Sequence, residues 1–111
     1  MAHFPKLHSS IRSPRTSFRR PEPANFRVEN QLQKGSLLRL SMTGGCALLD
    51  KKVRRGTLGE IEISTSLGKI RGLIEFLDER GKGAHSELGF RFIGLEDTDH
   101  ERLGRALQRV G

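Results

Sequence analysis

The sequence predicts a small all-β fold, an antiparallel barrel with one C-terminal α-helix. Short runs of alternating apolar and polar residues recur from Phe26 onward, separated by glycines, and only the last segment has helical periodicity. The runs indicate about six strands. Only 34% of the residues are hydrophobic, so the core is too small to protect exposed strand edges. Closure into a barrel is therefore favoured, because it hides those edges.

The first three strands are expected between residues 26 and 49. The first begins at Phe26, and Lys34-Gly35 is predicted to turn the chain into the second. In the second strand, period two puts Leu38, Leu40 and Met42 on one face, with Leu37, Arg39 and Ser41 on the other. Gly44-Gly45 is expected to break this strand, and residues 46–49 continue as a short buried one.

The remaining elements follow a polar loop at residues 50–56. Three strands are predicted, with a turn at Gly68 and a hairpin-type loop at residues 78–83. Their core-facing residues are expected to be Ile61, Ile63, Ile70, Gly72, Ile74, Phe76, Leu88, Phe90 and Phe92. Thr98 and Glu101 match a capping box, and a helical stripe follows at Leu103, Ala106, Leu107 and Val110.

The N-terminal segment differs from the rest in composition and charge. All four prolines lie within residues 1–24, which have no regular periodicity. Residues 1–28 carry six Lys and Arg against Glu22 alone, giving +5 of the net charge of +7. We therefore divide the chain into a flexible basic arm, residues 1–24, and a barrel with its helix, residues 25–111. The excess of basic over acidic residues predicts anionic partners.

The composition excludes several classes of function. The chain has no Gly-x-x-x-x-Gly-Lys loop, no Gly-x-Ser-x-Gly elbow and no histidine spacing suited to a metal. We therefore expect no catalysis, no metal and no cofactor. The single Cys46 lies in an apolar run and is interpreted as a buried, inert thiol in a reducing compartment. No segment resembles a signal peptide or a membrane span, so a cytoplasmic location is expected, without membrane insertion.

Two short motifs stand in a fixed order. Arg15-Thr16-Ser17-Phe18-Arg19 lies in the basic arm, and Arg39-Leu40-Ser41-Met42-Thr43-Gly44 follows at the end of a predicted strand. In order and separation they resemble the two signatures of the bacterial PilZ family, Arg-x-x-x-Arg and Asp/Asn-x-Ser-x-x-Gly. The segment from Gly89 to Leu95 before the helix is similar as well. The resemblance implies a six-stranded Greek-key barrel that binds the second messenger cyclic di-GMP.

The chemistry of the residues suits that ligand. Cyclic di-GMP presents two phosphates and the N7 and O6 acceptors of guanine, and arginine can bind both groups bidentately. Glycines let a backbone approach closely, and a serine hydroxyl can donate or accept. The predicted ligand-binding residues are Arg15, Arg19, Arg20, Arg39, Ser41, Gly44 and Gly45.

Arg39 departs from the family motif, which has Asp or Asn at this position. By period two it faces the same side as Ser41 and points into the predicted site. A guanidinium has no acceptor for the N1–H and N2–H₂ donors of guanine. The loss of such a partner costs on the order of 1–3 kcal/mol, or roughly ten- to a hundred-fold in affinity.

Three functions are compared. The first is a cyclic di-GMP receptor or adaptor, in which the arm orders over the ligand and a downstream protein partner is recruited. The second is a degenerate protein-interaction module of the same fold that binds no nucleotide, motivated by Arg39. The third, a nucleic-acid-binding barrel, is disfavoured because the chain has no Tyr or Trp and its Phe residues fit a core.

Overall fold

A computed structural model describes residues 2–3, 15–80 and 86–110 of the chain. The elements are β1 (Ala2–His3), β2 (Arg15–Val28), β3 (Gln31–Ser41), β4 (Gly44–Leu49), β5 (Leu58–Thr65), β6 (Gly68–Arg80), β7 (Ser86–Glu96) and α1 (Asp97–Val110). The predicted hairpin loop at residues 78–83 lies partly outside this range: β6 continues to Arg80, and 81–85 are not described. No helix among the described residues has the length and apolar character needed to cross a membrane.

Strands β2 to β7 form a closed six-stranded antiparallel barrel, which confirms the predicted fold class. The strand order is β7-β4-β3-β2-β5-β6, and β6 pairs with β7 to close it. β2, β3 and β4 are consecutive neighbours, while β5 returns beside β2, which is the Greek-key arrangement. The two-residue β1 extends the sheet at the end of β7, where Ala2 pairs with Glu96.

The first hairpin turns at Glu29-Asn30, so the prediction of a turn at Lys34-Gly35 was wrong. Glu29 and Asn30 have φ angles of 52° and 64°, the left-handed pair of a two-residue hairpin turn. Lys34 and Gly35 lie within β3, paired with Asn25 and Ala24 of β2.

Gly35 is required because β3 packs closely against the core at this point, and not because the chain turns there. A Cβ atom there would lie 2.5 Å from Leu49 Cδ2 and 2.8 Å from Phe26 Cε2. The glycine therefore lets β3 pass close to two core side chains. A glycine in a sequence is compatible with either role, and only the strand pairing distinguishes them.

The core confirms the alternation predicted for the later strands. The Phe26 ring lies 6.2 Å from those of Phe76 and Phe90, and Phe90 contacts Phe92 edge-to-face at 5.7 Å. The other core residues of the predicted strands are also buried: Ile61, Ile63, Ile70, Ile74 and Leu88. Since all of these side chains face inward, the chemistry available to a ligand lies on the outer surface and at the barrel ends.

Helix α1 packs across β6 and β7. Leu103 is fully buried in the barrel core, and Ala106 and Leu107 pack against it, as the helical stripe predicts. At the start of the helix, Asp99 Oδ1 accepts a hydrogen bond of 2.9 Å from the Arg71 backbone N–H. Arg102 Nη1 donates to the Lys69 carbonyl at 2.6 Å. These bonds fix the helix against one end of the barrel.

The first long strand begins at Arg15, well before the start at Phe26 that the sequence predicts. Residues 15–24 therefore have strand geometry although the sequence assigns them to the arm. The prolines hid this strand, because proline is disfavoured in most ladder positions. Pro21 lies where the pairing of β2 with β3 is interrupted, whereas Pro23 is paired with Ser36.

Candidate functional site

The pairing of β2 with β3 brings the two sequence motifs together. Arg15 lies opposite Ser41, Thr16 opposite Leu40, and Ser17 opposite Arg39. Residues directly opposite each other in an antiparallel pair share a face of the sheet. Two motifs separated by about twenty residues in the sequence are thus adjacent in space.

The pairing is interrupted where Arg19 and Arg20, the other two arm arginines predicted to bind the ligand, lie. Between Ser17 and Glu22, β2 advances by five residues while β3 advances by two, from Arg39 to Leu37. Arg19, Arg20 and Pro21 fall within this bulge and have no register partner there. Proline is tolerated at such a point because it has no N–H to donate to a ladder. The bulge places Arg19 and Arg20 on a segment beside β3 that is free of regular pairing constraints.

β3 itself contains a second irregularity, which corrects the predicted face pattern. The pairing of β3 with β4 shifts between Leu37 and Arg39. As a result, Leu37 and Leu40 are both buried in the core, whereas Leu38 is only half-buried. The period-two prediction that grouped Leu38 with Leu40, and Leu37 with Arg39 and Ser41, was wrong, because one extra residue in a strand reverses the alternation beyond it.

Arg39 and Ser41 do share the outer face. Leu40 between them belongs to the core, and β3 pairs regularly with β2 from Arg39 to Ser41. The Arg39 side chain is 39% exposed. Ser41 is 5% exposed, the only buried polar residue among those described.

The Ser41 hydroxyl organises the turn between β3 and β4. Its Oγ accepts a 3.2 Å hydrogen bond from the Thr43 N–H and donates to the Gly44 carbonyl at 3.2 Å. The Thr43 hydroxyl lies 3.1 Å away. Side-chain bonds of this kind replace a backbone turn and fix its geometry. Ser41 therefore has a structural role in the turn in addition to any contact with a ligand.

Gly44 and Gly45 have packing roles that the sequence analysis did not identify. A Cβ on Gly44 would lie 2.2 Å from the Phe90 carbonyl oxygen of β7. A Cβ on Gly45 would lie 2.4 Å from the Arg39 carbonyl oxygen and 3.0 Å from the Phe90 ring. Since both positions face backbone atoms, any side chain there would force neighbouring strands apart.

Arg39 forms an ion pair with a residue outside both motifs. Its Nη2 lies 3.5 Å from Glu87 Oε1 on β7, across the intervening strand β4. The same carboxylate oxygen accepts a 3.3 Å hydrogen bond from the Cys46 thiol. Burial and the hydrogen bond to Glu87 raise the pKa of the Cys46 thiol, while Arg39 acts in the opposite direction.

The prediction that Cys46 is buried is confirmed, since it is 4% exposed. Its neighbours Ala47 and Leu49 belong to the core, whereas Cys46 contacts the outer-face residue Glu87. Sequence reasoning missed Glu87. Period two from Leu88 and Phe90 puts it on the outer face, but nothing in the sequence shows that it reaches Arg39.

A concave region lies on another part of the barrel, away from the two motifs. This cleft has a volume of about 710 Å³ and is bordered by the apolar side chains of Leu32 and Leu73, 67% and 49% exposed. Its lining includes the carboxylates of Glu60, Glu96 and Asp99. Within the described part of the chain, no group of three or more His, Cys, Asp or Glu residues is arranged to hold a metal.

The site is thus built on two adjacent strands whose motifs meet in register, on a closed barrel with a C-terminal helix. A family model for the PilZ domain matches residues 10–109, nearly the whole chain. The chain belongs to the PilZ family. None of the curated proteins matches it.

Among the solved structures similar to this PilZ protein is one that matches it over most of its length. It is the PilZ domain with c-di-GMP of YcgR from Escherichia coli. The two are 22% identical, the alignment covers 92% of each chain, and the TM-score is 0.71. At this identity the likeness establishes the PilZ barrel fold.

Proposed function

We propose that this PilZ protein binds cyclic di-GMP and acts as a non-catalytic receptor in second-messenger signalling. One observation carries the proposal: Arg15 of the first motif lies opposite Ser41 of the second in the β2–β3 pairing. Membership of the PilZ family supports it, as does the c-di-GMP that accompanies the YcgR domain of the same fold.

The proposed ligand-binding residues are those of the two motifs and their neighbours. Arg15, Arg19 and Arg20 would bind phosphates and guanine edges from the β2 side, because the guanidinium fork matches both groups. Arg39 and Ser41 would contact the ligand from the outer face of β3. Gly44 and Gly45, at the start of β4, would form the backbone surface beneath it. Ordering of the arm over the ligand would create the surface that a downstream protein partner recognises.

The test is isothermal titration of cyclic di-GMP into the wild-type chain and an Arg15→Ala/Arg19→Ala variant. Micromolar or tighter binding that the double variant abolishes is expected. The control is Arg27→Ala/Arg55→Ala, which removes the same charge from two exposed arginines away from the motifs. Equal weakening in both double variants would attribute binding to net charge and refute the proposed site.

Limited proteolysis tests the ordering of the arm. Saturating cyclic di-GMP should slow cleavage within residues 1–24, because bound Arg15 and Arg19 add contacts to the β2–β3 pairing that already holds residues 15–17 and 22–24 beside the barrel. Unchanged cleavage in the presence of bound ligand would contradict the coupling between binding and arm order, while leaving binding itself intact.

The second candidate function is a protein-interaction module that binds no nucleotide. The exposed Leu32 and Leu73 beside the cleft favour it, because a small protein gains nothing in stability by exposing large apolar side chains. Arg39 in place of the family's Asp or Asn also favours it, because a guanidinium has no acceptor for the donors of guanine. A folded wild-type chain that gives no heat with cyclic di-GMP, and an Arg39→Asp variant that does, would establish this alternative.

A further inference from the structure

We propose that Glu87 supplies the hydrogen-bond acceptor that Arg39 lacks, so that the two side chains together recognise one guanine of the ligand. The inference rests on the proposed function. It extends that function by assigning a specificity-determining residue outside both motifs, on a strand that does not carry either of them.

The position of Glu87 supports this role. Its carboxylate lies 3.5 Å from the guanidinium of Arg39, the residue that replaces the Asp or Asn of the family motif. The side chains of Arg39 and Glu87 are 39% and 29% exposed, so both remain accessible from the outer face. A carboxylate is therefore present beside residue 39 although residue 39 is itself a cation.

The contact between Arg39 and Glu87 is loose. Charge-assisted N–H···O hydrogen bonds are typically about 2.7–2.9 Å long. The 3.5 Å separation exceeds that range, so the two groups lie side by side without a short bond between them. The other partner of this oxygen is the Cys46 thiol, which is a weak hydrogen-bond donor. Both charged groups therefore keep hydrogen-bonding capacity for a third partner.

The guanidinium of Arg39 and the carboxylate of Glu87 together match the hydrogen-bonding groups of guanine and not those of adenine. An arginine can donate to guanine O6 and N7, and a carboxylate can accept from N1–H and N2–H₂ on the neighbouring edge. An adjacent guanidinium and carboxylate can thus contact two edges of one base. Adenine has an unprotonated N1 and no N2 amino group, so it would place an acceptor against the carboxylate.

The Glu87 charge also accounts for an arginine at position 39. Arg39 lies opposite Ser17, two residues from Arg15, and an uncompensated cation there would repel the basic arm. The neighbouring carboxylate offsets that charge. The acceptor role and this electrostatic role are separable by experiment, because glutamine keeps an acceptor oxygen and loses the charge.

The experiment measures the affinities of cyclic di-GMP, its cyclic di-inosine analogue and cyclic di-AMP for the full chain. Inosine lacks only the N2 amino group, so the wild-type chain should bind cyclic di-GMP about tenfold more tightly than the inosine analogue. Glu87→Ala should weaken cyclic di-GMP binding by about ten- to a hundred-fold and bring the ratio between these two ligands close to one. Glu87→Gln should retain most of the preference.

The matched control is Glu75→Gln, which changes another carboxylate that is paired with an arginine, Arg91, and similarly exposed at 24%. It should leave the ligand preference unchanged. Equal losses in Glu87→Ala and Glu87→Gln would assign a purely electrostatic role to Glu87 and overturn the acceptor role. A wild-type chain that binds cyclic di-GMP without preferring it over the inosine analogue would overturn the inference alone. A folded wild-type chain that binds none of the three ligands would overturn the proposed function as well.

Discussion

Replacing Gly44 with alanine tests whether this glycine serves barrel packing or ligand approach. The added Cβ would lie 2.2 Å from the Phe90 carbonyl oxygen and 2.8 Å from the Arg91 Cα. Both contacts are far below ordinary van der Waals distances, and both involve backbone atoms. Gly44 is paired with Arg91 in the β4–β7 ladder, so relief of the clash requires separating the two strands.

Overpacking in a core typically costs about 1–3 kcal/mol. We expect Gly44→Ala to lie at the upper end, about 3 kcal/mol, because no flexible side chain can move aside. Against a total stability of about 5–15 kcal/mol for a small domain, this is a large loss. With a urea m value of about 1.5 kcal/mol/M, the midpoint of unfolding should fall by about 2 M.

Urea unfolding followed by circular dichroism measures this effect without a ligand. Two glycines serve as controls. A Cβ on Gly89, in β7, would meet no atom closer than Leu77 Cβ, at an ordinary 3.6 Å. A Cβ on the helical Gly104 would meet only Met42 at 3.9 Å. Gly89→Ala should be close to neutral, and Gly104→Ala should stabilise the protein by up to about 1 kcal/mol, since alanine favours a helix.

A Gly44→Ala variant within about 0.5 kcal/mol of the wild type would refute the packing role, because surface substitutions without a structural effect fall in that range. If the variant is destabilised as expected, a weaker affinity for cyclic di-GMP cannot be attributed to a lost ligand contact. Affinities of this variant should therefore be compared only under conditions in which it is fully folded.

Two further outcomes are expected from the same face of the barrel. Ser41→Ala should destabilise the protein by about 1–3 kcal/mol in urea unfolding, because the Thr43 N–H and the Gly44 carbonyl lose the hydroxyl that they bond; an unchanged midpoint would show that water replaces it. The raised pKa of Cys46 means that the thiol stays protonated to higher pH than a free cysteine, so the ultraviolet absorbance of its thiolate should appear at unusually high pH. Glu87→Gln should move that pH profile down and Arg39→Ala should move it up, and shifts of the same sign would contradict the assigned causes.

The sequence identified both halves of the candidate site but not its arrangement. The two motifs were visible as residue spacings, and the outward direction of Arg39 and Ser41 followed from period two. The bulge in β2 and the irregularity at Leu38 were not visible, because a bulge depends on which residues of two strands pair. Glu87 was missed for the same reason: it is 48 residues from Arg39 in sequence.

The sequence by itself determined the fold class, the strands of the second half of the barrel and the helix. In these segments strict alternation at Ile61 and Ile63, or at Phe90 and Phe92, leaves only one way to bury the apolar residues. Local periodicity is sufficient there because each strand has one apolar face, and that face must be buried whichever strands it pairs with.

The tertiary structure decided the first hairpin and the partners of the site. A glycine permits a turn and also permits close packing, and only the contacts of Gly35 with Phe26 and Leu49 show which role it has. An arginine can bind a ligand or a carboxylate, and only the pairing of β4 with both β3 and β7 brings Glu87 within reach of Arg39. Both outcomes depend on long-range strand pairing, which local residue patterns do not encode.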